Sequence, residues 1–93
     1  MENRETIQHK VIGFITETFP LASIRGVDPS ANLLDQGIVD SFGLLEVLSF
    51  IEETFGFTVE DQDITETNFA SVASIAAYVD RTLAGRSSGV NTV

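Results

Sequence analysis

The sequence predicts an all-α fold of four helices, with a long loop between the first and second and a short third. Three observations predict it. Apolar residues recur at three- and four-residue spacing over separate segments, which puts them on one side of each helix. No stretch gives the apolar–polar alternation of a convincing strand. The 93 residues, 43% hydrophobic and without cysteine, can bury one modest core but form no disulfide framework, so helix packing must hold the domain together.

The first helix is expected from about Glu5 to Phe19, with Ile7, Val11, Phe14 and Ile15 facing inward and Pro20 as its stop. A connection of roughly 20 residues follows, longer than usual and therefore functional or packed. Gly26, Asp28-Pro29-Ser30 and Gly37 are its turn signals, and Ile24, Val27, Leu33, Leu34 and Ile38 are its expected apolar anchors. The second helix should run from Ser41 to about Phe55 and stop at Gly56. At 100° per residue, Leu44, Val47, Leu48, Ile51 and Phe55 share an inward arc, while Phe42, Leu45, Glu46, Ser49 and Glu53 share the opposite one. That outward arc has the make-up of a docking surface, apolar at its centre and charged at its rim. Asp63-Ile64-Thr65-Glu66 has capping-box spacing and should open one short helical turn. Ser71 should cap a last helix with core positions Val72, Ile75, Ala76, Val79 and Leu83, ended by Gly85.

All five basic residues lie outside the interval 26–80, which holds eleven of the fourteen acids. Such a surface repels nucleic acid and anionic lipid and steers basic protein surfaces toward itself, although acidity by itself also serves solubility. No apolar run is long enough for a membrane span, and the first residues lack the pattern of a signal peptide; a cytoplasmic chain is expected. Catalytic readings fail on inventory. The one histidine, His9, lies on the first helix with no placed carboxylate beside it, and a metal site of His and Cys is excluded by count. A calcium loop starting at Asp61 would need glycine where Glu66 stands and glutamate where Val72 stands. Gly37 and Gly43 stand alone and form no phosphate-cradling motif.

Ser41 is the residue that remains. It stands where loop gives way to helix, so a phosphate on its hydroxyl would meet unpaired backbone N–H groups and the positive end of the helix dipole. The competing reading is a plain serine N-cap. A reciprocal capping box would need Glu or Gln at position 44, and Leu44 is there instead.

The run Leu33…Asp35-Gln36-Gly37-Ile38…Asp40-Ser41-Phe42, followed by an acidic amphipathic helix containing Glu46 and ending at Phe55-Gly56, resembles the acyl carrier and peptidyl carrier protein family. Asp61…Asp63-Ile64…Asn68-Phe69…Val72…Ile75…Tyr78-Val79 extends the likeness, which covers about residues 5 to 84. The resemblance implies an acyl-carrier-like four-helix bundle, with residues 1–84 as the carrier domain; residues 85–93, turn-formers with almost no apolar mass, are expected to be a disordered tail. It also implies 4'-phosphopantetheine, moved from coenzyme A onto Ser41 by a phosphopantetheinyl transferase, with cargo riding as a thioester on the arm's thiol. The chain itself would then be no enzyme. By the same analogy Asp40 helps position the transferase's metal and coenzyme A. Phe42, Leu45, Glu46, Ser49 and Glu53 would meet partners: an adenylating or acyl-loading enzyme, then a synthase, transferase or tailoring enzyme. A monomer is expected, with neither nucleic acid nor membrane as partner. Phe42 in place of the family's usual leucine, Ser49 in place of an apolar residue and Glu60 in place of a common proline turn the likeness from housekeeping fatty-acid carriers toward discrete carriers of specialised polyketide or nonribosomal-type pathways. The alternative from another class is an unmodified acidic helical adaptor that binds a basic partner through the Phe42/Leu45 face, with Ser41 only a cap.

Overall fold

The computed structural model describes the backbone of residues 3–91 and the side chains of residues 3–85. Among these the order is α1 (Arg4–Thr18), α2 (Pro20–Arg25), α3 (Ser41–Phe55), a 3-10 turn (Asp61–Asp63), α4 (Glu66–Phe69) and α5 (Val72–Asn91), with no strand. Asn3 starts α1 by accepting from the Thr6 amide at 2.8 Å, and Ile7, Val11 and Ile15 form its fully buried stripe.

Pro20 ends the first helix as expected, yet it also opens a further one. Proline lacks only an N–H that the first turn of a helix leaves unpaired, and its fixed φ suits that position. Phe19 is the joint: its amide closes α1 on the Ile15 carbonyl at 2.9 Å, and its carbonyl accepts from Ala22 in α2 at 3.0 Å. Gly26, at φ 79°, terminates α2. The long connection therefore begins after residue 26.

Two backbone bonds dock this loop onto the far end of the chain, from the Leu33 amide to the Ala70 carbonyl at 2.7 Å and from the Ala73 amide to the Pro29 carbonyl at 2.9 Å. Leu33, Ile38 and Val39 are buried. Ile24 and Leu34, expected as anchors, are exposed instead: Ile24 lies on the outer side of α2, and Leu34 lies in the turn closed by Gln36 and Gly37.

In α3, Val47, Leu48, Ile51 and Phe55 are buried, and Gly56 in the left-handed region (φ 74°) caps its end. Leu44 is only half-buried, while Gly43 beside it is buried. Glu52 accepts from the Val59 amide at 2.8 Å, which ties the following loop back to α3. The short helix after it starts two residues later than the capping-box spacing indicated. Thr65, not Asp63, is its cap and accepts from the Asn68 amide at 3.2 Å. Asp63 closes the preceding 3-10 turn and accepts from the Tyr78 hydroxyl at 3.0 Å, which fastens that turn to α5. Asn68 adds to the fastening by donating to the Asp63 carbonyl and accepting from Arg81. Burial first, and then the hydrogen bond to Asp63, push the Tyr78 phenol above its ordinary value.

Ser71 caps α5 on the Ser74 amide, and Val72, Ile75, Ala76 and Val79 are buried with Leu83 packed beside them. The helix does not stop at Gly85 but continues in backbone to Asn91. Gly85 has no positive φ, and glycine inside a helix is a cost, not a stop. Of the tail expected to be disordered, Thr92 and Val93 lie outside the described residues. α1 packs chiefly on α5, with α2 and α3 against its other sides and α4 against α5.

Candidate functional site

The start of α3 is built from two neighbouring residues with separate tasks. Asp40 has extended backbone (φ −97°, ψ −175°), and its Oδ1 accepts from the Gly43 amide at 2.7 Å, so Asp40 is the N-cap. Its carbonyl takes the Leu44 amide at 2.9 Å and begins the helical ladder. Ser41 is thus the first residue of the helix proper, exposed, with its hydroxyl uncommitted to the cap. This answers the question the sequence left open between Ser41 as cap and Ser41 as a free hydroxyl.

Two of the first-turn amides, those of Gly43 and Leu44, are taken up by Asp40; those of Ser41 and Phe42 have no partner among the described residues. A phosphoester on the Ser41 oxygen therefore fits the position: the nearby donors are free and the dipole has the favourable sign. Gly37, at φ 73°, turns the chain just ahead of buried Ile38 and Val39. These two anchors hold the backbone beneath Asp40 and Ser41 while both side chains stay outside.

Phe42 is 80% and Leu45 58% exposed. Glu46, Ser49 and Glu53 continue the same exposed strip along α3, so the five residues singled out from the helical wheel share one open face. No basic residue stands on α3. Behind Ser41, a groove of about 350 Å³ is lined by Phe19, Ile38, Asp40, Phe42, Gly43 and Glu46, among others. His9 is exposed on α1. Among the described residues, no cluster of three His, Cys, Asp or Glu side chains is placed to hold a metal, and no helix is long and apolar enough to cross a membrane.

The sequence reading gave no part to Phe19. A hint was available in Gly43, a glycine in the first turn of an otherwise good helix, a residue type that needs a local reason.

A family model described as a phosphopantetheine attachment site matches residues 10–79. The chain belongs to that family. Its members are carriers of 4'-phosphopantetheine, and the all-helical fold agrees. The D-alanyl carrier protein of Abiotrophia defectiva is 35% identical over 57 residues, 61% of this carrier and 72% of the relative. The probable acyl carrier protein PigG of a Serratia species is 29% identical over 75 residues, 81% of this carrier and 86% of the relative. Among solved structures, apo KstB-PCP superposes with a TM-score of 0.65 at 31% identity, covering 83% of this carrier and 88% of that chain. The holo acyl carrier protein of Nitrosomonas europaea superposes with a TM-score of 0.63 at 26% identity, covering 90% and 99%. Both likenesses cover more than four-fifths of this carrier.

Proposed function

We propose that Ser41 is the attachment point of the phosphopantetheine arm, and that this carrier holds an acyl or aminoacyl group for the enzymes of a specialised biosynthetic pathway. The observation that carries the reading is the identity of the cap. Because Asp40 satisfies the Gly43 amide, the Ser41 hydroxyl has no structural duty and stands exposed for a transferase to reach. The arm supplies a thiol on which cargo is held as a thioester. The protein supplies the rest: an oxygen to esterify, a helix start that favours the phosphate, and a surface that partners recognise.

In this reading the carrier does no chemistry of its own and raises the effective concentration of its cargo at each partner's site. Phe42 and Leu45 form the apolar centre of the docking face, with Glu46, Ser49 and Glu53 as its polar rim. Partners are a phosphopantetheinyl transferase, an adenylating or acyl-loading enzyme and the downstream synthase, transferase or tailoring enzymes, each expected to bring a basic rim. We place the carrier in the cytoplasm, as a monomer. The relatives' names, a D-alanyl carrier and a probable acyl carrier, support cargo of either class. The unmodified adaptor reading gave Ser41 no duty beyond a cap; Asp40 is the residue that caps α3, and the two readings part on whether Ser41 is modified.

The test is direct. Incubated with coenzyme A and a broad-specificity transferase, the chain should gain the mass of one phosphopantetheinyl group, and Ser41→Ala should abolish the gain. Unchanged mass of the wild type, or undiminished gain in Ser41→Ala, would refute the assignment.

A further inference from the structure

A Cβ built on Gly43 would lie 2.6 Å from Cε1 and 2.9 Å from Cζ of Phe19, and 3.2 Å from Oδ1 of Asp40. Carbon atoms do not approach that closely without something moving. The other helical glycines described, Gly13 and Gly85, have open space in the same direction, so the crowding belongs to this site and not to glycine in general. The edge of the Phe19 ring therefore occupies the volume that any other residue at 43 would need, directly beside the acceptor oxygen of the Asp40 cap.

The ring is partly buried against the core and has an aromatic neighbour. Its backbone is pinned at the α1–α2 joint by the Ile15 and Ala22 bonds. Phe14 meets it edge-on at 6.5 Å, stacks on Phe50 of α3 at 4.4 Å, and Phe50 in turn meets Phe55 at 6.4 Å. α3 is thus held against α1 by the Phe14–Phe50 stack and approaches the α1–α2 joint through Gly43 at its first turn, where Ser41 stands.

We propose that Phe19, seated on Gly43, is a positioning residue for the modification of Ser41: it sets how closely the first turn of α3 approaches the α1–α2 joint, and so the direction in which the Ser41 hydroxyl and the Asp40 carboxylate are presented. This rests on Ser41 being the attachment point. The step concerned joins the Ser41 oxygen to the phosphorus of the phosphopantetheinyl group and breaks the pyrophosphate bond of coenzyme A. Adenosine 3',5'-bisphosphate leaves, and the hydroxyl proton passes to a base on the transferase. Such in-line displacement is sensitive to small misplacements of the attacking oxygen.

The test measures initial rates of transfer from coenzyme A to the full chain for wild type, Gly43→Ala, Phe19→Leu and the double variant, with a thermal melt of each. Gly43→Ala should lower kcat/KM for the carrier about tenfold or more while KM for coenzyme A stays unchanged. Phe19→Leu, which removes Cε1 and Cζ, should lower it about threefold by loosening the same contact. In the double variant the added methyl finds room, and the rate should recover to within about threefold of wild type, a non-additivity that a general loss of stability does not give. Wild-type rates in either single variant, a double variant as slow as Gly43→Ala, or losses that follow only the unfolded fraction would overturn the proposal. Should wild type itself take up no group, the Ser41 assignment fails; wild type labelled at Ser41 with indifferent variants sinks the positioning role alone.

Discussion

Replacing Asp40 by alanine removes the carboxylate oxygen that holds the Gly43 amide at 2.7 Å and leaves a donor on a buried residue without its partner. Loss of an N-cap of this kind costs about 1 kcal/mol. Removing the negative charge from the positive end of α3 adds about 0.3–1 kcal/mol at low salt. Together these amount to roughly 1.5 kcal/mol, and at about 4–8 °C per kcal/mol for a domain of this size Tm should fall by about 6–12 °C. Asp40→Asn keeps an acceptor oxygen and loses only the charge, so its fall should be about 0.3–1 kcal/mol. Ser41→Ala should stay within about 0.5 kcal/mol of wild type, since the serine hydroxyl caps nothing. The assay is thermal unfolding followed by circular dichroism at neutral pH and low ionic strength. A Ser41→Ala variant less stable than Asp40→Ala, or an Asp40→Ala variant that melts with wild type, would refute the division of labour at the head of α3.

Three further outcomes follow from other parts of the fold. Tyr78→Phe should cost about 0.5–1.5 kcal/mol through the lost bond to Asp63. Because the Tyr78 pKa is raised in the fold, chiefly by burial, its contribution is fully present below the unfolded value near 10 and is lost as pH rises through the folded one; alkaline melts should show this decline in wild type and not in Tyr78→Phe. Phe42→Ala, at an 80% exposed position, should change stability by less than about 0.5 kcal/mol yet weaken capture by the loading enzyme, read as a raised KM for the carrier; equal KM values would remove Phe42 from the docking face. Raising the salt concentration should raise Tm by screening repulsion among the eleven acids of residues 26–80, and a Tm indifferent to salt would show that this charge is not closely packed.

What the sequence made legible was set by length and periodicity. α3 has fifteen residues, enough for the 3.6-residue repeat to fix both its limits and its two faces, and the open strip from Phe42 to Glu53 follows from that repeat alone. α2 has six, too few for a repeat to declare itself, and Pro20 reads as a stop unless one allows that it also suits a helical first turn. The exact cap was obscured because Asp40 and Ser41 are both good capping residues and only backbone conformation separates them. The same ambiguity displaced the cap of α4 from Asp63 to Thr65. Leu34 and Ile24 show another limit: in a loop or a single helical turn, apolar character does not say which side faces the core. The Phe19–Gly43 contact joins residues far apart in sequence with no shared pattern, and only the folded chain brings them together.

The claim on which the account rests is that one oxygen, that of Ser41, carries the arm. Tandem mass spectrometry of the chain purified from the cells that make it tests this most directly, by locating any prosthetic group on the peptide that holds Asp40-Ser41-Phe42. The account predicts a single phosphopantetheinyl phosphodiester on Ser41, with or without cargo on its thiol. A chain that carries no such group in its own cells, or carries it on a different residue, would contradict it.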